Sequence, residues 1–223
     1  MLTRLSVIHY SLFIIHYPLF PASFSHSFAF AAGKTFAGTR RRGAGAFCYN
    51  RGMKDFQEIS VWDFAAKPTD LIKNNWMLIA AGTREKFNAM TANWGGLGVM
   101  WNLPVAFVVI RPQRYTKEFV DAEARFSLSF PPAEFRRAMG YLGKVSGRDE
   151  DKIAASGLAT AFDAATGTPF FADAHTVLFC RKLYAQPMTS AGFIDRAPEA
   201  QWYPDRDYHT LYVAEIEKVL VAK

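Results

Sequence analysis

Three short stretches of this chain combine residue types that could bind a small molecule. Asn88-Ala89-Met90-Thr91-Ala92-Asn93-Trp94-Gly95-Gly96 sets amide, hydroxyl and indole groups beside a glycine pair. That mixture suits a flat heteroaromatic ligand with an apolar face and a polar edge. It equally suits an ordinary strand end in which Met90 and Trp94 pack and Gly95-Gly96 turns the chain. Arg111-Pro112-Gln113-Arg114-Tyr115-Thr116-Lys117 gathers cations and hydroxyls at the mouth of an expected helix. Free N–H groups and the helix dipole favour a phosphate at such a place; a Thr116 cap flanked by solvated arginines would explain it too. In Ser146-Gly147-Arg148-Asp149-Glu150-Asp151-Lys152, Ser146 and Asp149 have capping-box spacing. This reads as a helix start to which Arg148 or Lys152 could add an anion contact.

His209 opens the apolar run at residues 209–213, where a neutral imidazole could face a pocket. A histidine at a strand start is more often structural. His175 has no comparable context, and His9, His16 and His26 fall in the first 52 residues. With two histidines in the body and Cys48 and Cys180 as the whole cysteine complement, a multi-histidine metal site, a zinc cluster and a disulfide framework are not expected. The G-x-S-x-G elbow, the P-loop, H-E-x-x-H and the G-x-G-x-x-G fingerprint are all missing from the sequence. Asp149, Glu150 and Asp151 are adjacent, so on a helix they point apart and read as a solvated face.

These residues need strands and short helices to hold them. Residues 76–83 and 105–110 are continuous apolar runs bounded by Gly, Pro or Asn, as buried strands are, and 89–92 fits a short strand beside them. Residues 93–104, rich in Trp and Gly, are expected as a loop. A helix is expected over 116–124, a strand over 125–130, a second helix from Pro132 carried by Phe135, Met139 and Leu142, and a third over 149–156 stopped by Gly157. Long strands are expected over 176–185 and 209–221. The pattern is mainly β with short helices, and no repeat or linker divides it.

Charge separates the chain into two parts. Residues 1–52 hold six of the 26 basic residues (Arg4, Lys34, Arg40, Arg41, Arg42 and Arg51) and no acid, leaving 20 basic against 20 acidic residues in the remainder. The net charge of +6 therefore belongs to the leader, and the balanced body argues against a nucleic-acid surface. The leader's apolar stretch is broken by His9, His16 and Pro18, too short and too interrupted for a membrane span. It partly imitates a secretory signal and partly a transit peptide. The expectation is a disordered leader at 1–52, a mis-assigned start or a targeting segment, followed by one domain at 53–223. That domain is cytoplasmic if Met53 is the true start.

Taken in order, Asn88-x-Met90-Thr91-x-x-Trp94-Gly95-Gly96, Arg111-Pro112-x-Arg114-Tyr115-Thr116, Ser146-Gly147-Arg148-Asp149-x-x-Lys152, and His209 before an aliphatic strand with Glu215 resemble the flavin reductase-like, FMN-binding split-barrel family. The family includes flavoredoxins and NAD(P)H:flavin oxidoreductases. The resemblance runs from about Ile72 to Val221. It implies a split β-barrel, bound FMN, and a homodimer whose two subunits shape the site. It would place Asn88, Met90, Thr91 and Ala92 along the isoalloxazine and ribityl chain, with Trp94 near the ring. Arg114, Tyr115 and Thr116 would lie near the ribityl phosphate, completed by Ser146 and Lys152, and His209 on the nicotinamide side. Relatives often carry Gly where this chain has Asp207 and Ala214, which could narrow access over the flavin. The activity implied is hydride transfer from NADH or NADPH to the flavin and on to a second acceptor. A flavoredoxin-type carrier reduced by a protein partner is the alternative, and a split barrel that binds another ligand or none is the third.

Overall fold

The computed structural model describes residues 55–223, so the leader expected at 1–52 lies outside the described residues. The elements run β1 (Phe56–Ile59), α1 (Pro68–Lys73), β2 (Met77–Gly82), β3 (Phe87–Ala92), β4 (Gly95–Met100), β5 (Leu103–Ile110), α2 (Tyr115–Ala122), β6 (Arg125–Phe130), α3 (Arg136–Lys144), α4 (Lys152–Ser156), β7 (Thr160–Phe162), β8 (Pro169–Phe171), β9 (Thr176–Pro187), α5 (Ala197–Trp202) and β10 (Thr210–Ala222). Seven strands pair antiparallel in the order β3-β2-β6-β9-β10-β5-β4, β1 joins along β10, and β7 and β8 form a separate ribbon.

The two ends of this sheet are β3 and β4, consecutive strands joined by Asn93 and Trp94 alone. So short a link forces the ends of the sheet together although they do not pair, which makes the sheet a β-barrel split between β3 and β4. Register shifts in β10 at Val213/Ala214 and Ile216/Lys218 supply bulges that help it curl. The interior is filled by alternate residues of the strands, among them Ile79, Met90, Val108, Ile110, Phe126, Leu128, Leu178 and Tyr212, and α2 adds Val120. On the other face of β2 and β3, Met139 and Leu142 of α3 pack on Leu78, Ala80 and Ala89. Their i, i+3 spacing puts both on one side of the helix.

Several expectations change. Residues 95–100, expected in a loop, are strand β4. Their glycines mislead because they lie within the strand: a Cβ on Gly95 would fall 2.4 Å from the Phe107 carbonyl, whereas one on Gly96 or Gly98 would only touch the Phe107 ring, at 3.6 and 3.5 Å. The β4–β5 hairpin turns on Trp101 and Asn102, both with positive φ, as the tight two-residue turn requires. Helix α2 begins at Tyr115 with Arg114 in the cap position, so Thr116 lies inside it and is not the cap. The capping box at Ser146 and Asp149 does not form. Helix α4 starts at Lys152, where Asp151 accepts from the Ala154 N–H at 3.1 Å. No helix among the described residues is long and apolar enough to cross a membrane.

Candidate functional site

Alternation along β3 sends Asn88, Met90 and Ala92 to one face and Ala89 and Thr91 to the other. Asn88 is buried and its Nδ2 donates to Thr116 Oγ1 of α2 at 3.0 Å. Met90 lies in the core, while Ala92 ends the strand half-buried. Thr91 Oγ1 donates to the Met139 carbonyl of α3 at 2.5 Å. β3 thus runs between the two helices and ties to both.

Asn88 opens on a cleft of about 1540 Å³ whose walls include Lys86, Phe87, Tyr115, Gly147, Arg148 and Lys152. The Lys152 side chain is buried, and its Nζ donates to the carbonyls of Leu142 at 2.9 Å and Val145 at 3.0 Å. Arg114 Nη1 donates to the Gly143 carbonyl at 2.7 Å. Two cations therefore satisfy the free carbonyls at the C-terminal end of α3, where positive charge is favoured. Burial, and then the charge of Arg114, pull the Lys152 ammonium down to about 8. Arg148 lies 4.6 Å over the Tyr115 ring and pairs with Glu118, and Ser146 Oγ accepts from the Arg148 N–H at 3.2 Å.

A second hollow, about 890 Å³, lies along Asn93, Trp94, Gly95, Gly96 and Leu97 against α1. The Trp94 indole meets Trp202 edge-on at 5.0 Å and His209 at 5.2 Å. His209 is buried, with Nδ1 2.8 Å from the Tyr203 hydroxyl. Burial, reinforced by Arg111 and Arg114 and opposed by Asp207, holds its imidazole down at about 4, so the ring is neutral at pH 7. Arg111 pairs with Asp207, donates to the Trp202 carbonyl at 2.7 Å and lies 5.2 Å over the Tyr203 ring. Gln113 adds a 2.7 Å bond to the same Asp207 oxygen, while the other, Oδ1, is buried with no hydrogen-bond partner among the described residues. The Asp207 carboxylate is thus turned onto Arg111 and Gln113.

The sequence-predicted residues form two groups. Asn88, Tyr115 and Lys152 share the large cleft, with Thr116 bonded to Asn88 behind them; Trp94 lines the other hollow and touches His209, which lines neither. Arg114 joins the groups, since it binds the α3 end and its charge is felt at His209. Sequence reasoning missed Trp202 and Tyr203, which no motif marks, and the clip role of Arg111, which it grouped with the phosphate stretch. Chemically, the large cleft suits a phosphate-bearing ligand. Helix α2 is eight residues long, no side chain among the described residues caps its N-terminus, and Arg114 and Lys152 stand near it.

Residues 70–223 match the model of the flavin reductase like domain. The fold is similar to that of an FMN-binding domain of a flavin reductases-like enzyme from Shewanella baltica, with TM-score 0.56 and 19% identity over 76% of this chain and 78% of that one. Flavoredoxin of Desulfovibrio vulgaris gives TM-score 0.53 and 22% identity over 75% and 78% of the two chains. An FMN-binding protein from Thermus thermophilus with bound p-hydroxybenzaldehyde gives 0.50 and 25% over 65% and 69%. No curated protein sequence matches the chain.

Proposed function

The chain belongs to the flavin reductase-like family, and on that premise we propose that it binds FMN and acts as an NAD(P)H-dependent flavin reductase. NADH or NADPH loses one hydride, and a second flavin or another acceptor finally gains that hydride with one solvent proton. The observation that carries this reading is the uncapped N-terminus of α2 beside Arg114, with Lys152 in the adjoining cleft. In this reading Arg114, Tyr115, Thr116, Ser146 and Lys152 hold the phosphate end. Asn88, Met90, Thr91, Ala92 and Trp94 border the ribityl chain and ring. Met90 and Thr91 are spent on the core and on α3, so they contribute backbone, which β3 has free along the edge not paired to β2. Bound FMN supplies the redox chemistry, and the protein holds and orients the reactants. His209 lines the nicotinamide side. A homodimer fits the free edges of β3 and β4 and the exposed Val99, Met100 and Trp101 at the β4–β5 hairpin.

One observation favours a flavoredoxin-type carrier instead. Trp202 is set edge-on against Trp94 and the Arg111–Asp207 pair clips the segment beside it, which crowds the approach to His209. Such a carrier receives its electrons from a protein partner and turns over no pyridine nucleotide.

An anaerobic absorbance spectrum of the protein reconstituted with FMN, then mixed with NADH and NADPH in turn, tests both. Flavin that is retained and bleached on mixing establishes the reductase. Retained flavin bleached only by dithionite or a reduced protein establishes the carrier, and failure to retain FMN overturns both in favour of a barrel with another ligand or none.

A further inference from the structure

We infer that Tyr203 is a positioning residue that fixes His209 in a single neutral tautomer, with Nε2–H as the donor it offers to a carbonyl oxygen of the ligand. The ligand, though not the tautomer, rests on the flavin reductase reading.

Tyr203 follows α5, its ring set edge-on to the imidazole at 5.5 Å. Its hydroxyl has two acceptors in reach, His209 Nδ1 at 2.8 Å and Met188 Sδ at 3.9 Å. One proton cannot serve both. If Nδ1 carried the proton, the hydroxyl would accept from it and be left with only the distant thioether to donate to, so the tautomer with Nδ1 free makes better use of the hydroxyl proton. A neutral ring that accepts at Nδ1 carries its own proton on Nε2. The ring is clamped between Trp94 and Tyr203, and the charges facing it are Arg111 and Arg114 from the β5–α2 connection and Asp207 from its own loop. Two cations against one carboxylate oppose imidazolium, and burial adds to that. His209 is therefore no proton source at neutral pH, and its use is as a fixed donor. On the flavin reductase reading the carbonyls it would serve are the nicotinamide carboxamide or the pyrimidine edge of FMN.

The test is a nitrogen-15 spectrum of the full chain labelled at histidine, with H209Q for assignment. The expected result is an acceptor-type Nδ1 and a protonated Nε2 from pH 7 to 5, and a mixed population in Y203F, which keeps the ring and loses the hydroxyl. Protonated Nδ1 in the wild type, or an unchanged spectrum in Y203F, overturns the inference. This arm needs no flavin, so it stands apart from FMN retention. In FMN-loaded Y203F a roughly 3–10-fold rise in KM for NADH with FMN affinity unchanged identifies the carboxamide as the acceptor. The same rise in the FMN dissociation constant identifies the flavin. Neither change in a variant whose tautomer has shifted overturns the donor role.

Discussion

Asn88 donates its side-chain amide to the hydroxyl of Thr116 at 3.0 Å, joining β3 to the first turn of α2. Both groups are buried, Thr116 at 1% exposure, so neither can turn to water if the other is lost. T116V keeps the shape but strands a buried N–H, and should cost about 1–3 kcal/mol in urea unfolding. N88L combined with T116V should cost clearly less than the two single variants added, because no polar group is then left unpaired. Additive losses would show that the bond contributes nothing specific.

Gly147 lies against the same amide. A Cβ there would stand 2.6 Å from Asn88 Oδ1 and 3.2 Å from the Tyr115 ring. G147A should therefore push Asn88 off Thr116, lower stability by about 1–3 kcal/mol and weaken FMN binding followed by flavin fluorescence. Gly140, exposed within α3, has nothing within 4 Å of the same position. G140A should raise stability by about 0.5–1 kcal/mol. If the two alanines behave alike, crowding at Asn88 is not the cause.

The contrast between these glycines shows what a sequence can and cannot disclose. The buried strands β2, β5 and β6 announce themselves as apolar or alternating runs, because burial dictates residue type. β4 does not: its three glycines signal a turn, and what requires one of them, the Phe107 carbonyl against Gly95, lies on a neighbour paired through the sheet. The site divides in the same way. Asn88, Thr116 and Lys152 stand in recognisable motifs, but the bonds of Lys152 to the α3 carbonyls are set by folding. Trp202 ends a short helix of ordinary composition and Tyr203 follows it, and only their packing on Trp94 and His209 reveals them.

Lys152 gives two pH dependences of opposite sign. In the free protein its ammonium is held at about 8 against an ordinary 10.5. Between these values the unfolded chain binds the proton that the folded chain has lost, so stability rises with pH across that window. Phosphate binding needs the charged form. The FMN dissociation constant should be flat from pH 7 to 8, then rise by up to roughly tenfold per pH unit until the pKa of the complex is reached. K152Q should bind FMN more weakly and show neither trend. A wild-type profile flat to pH 10 in fluorescence titration would remove Lys152 from the phosphate site.

His209 makes the same kind of prediction on the acid side. Its imidazole is held at about 4, below an ordinary 6.5, by burial first and by Arg111 and Arg114, against the pull of Asp207. Above pH 6.5 the ring is neutral in folded and unfolded chains and contributes no pH dependence. As pH falls from 6.5 to 4 the unfolded chain takes up a proton that the folded chain refuses, so stability drops through this window and levels off below it. Asp207 does not blur the effect, because its bonds to Gln113 and Arg111 keep its carboxyl below the usual carboxylate range. H209Q has nothing to titrate there. From pH 7 through 5.5 to 4.5 the thermal midpoint of the full chain should fall about 5–10 °C further in the wild type than in H209Q. Any constant offset from the lost Tyr203 bond cancels in that comparison, and parallel curves would mean that the imidazole titrates as it does in water.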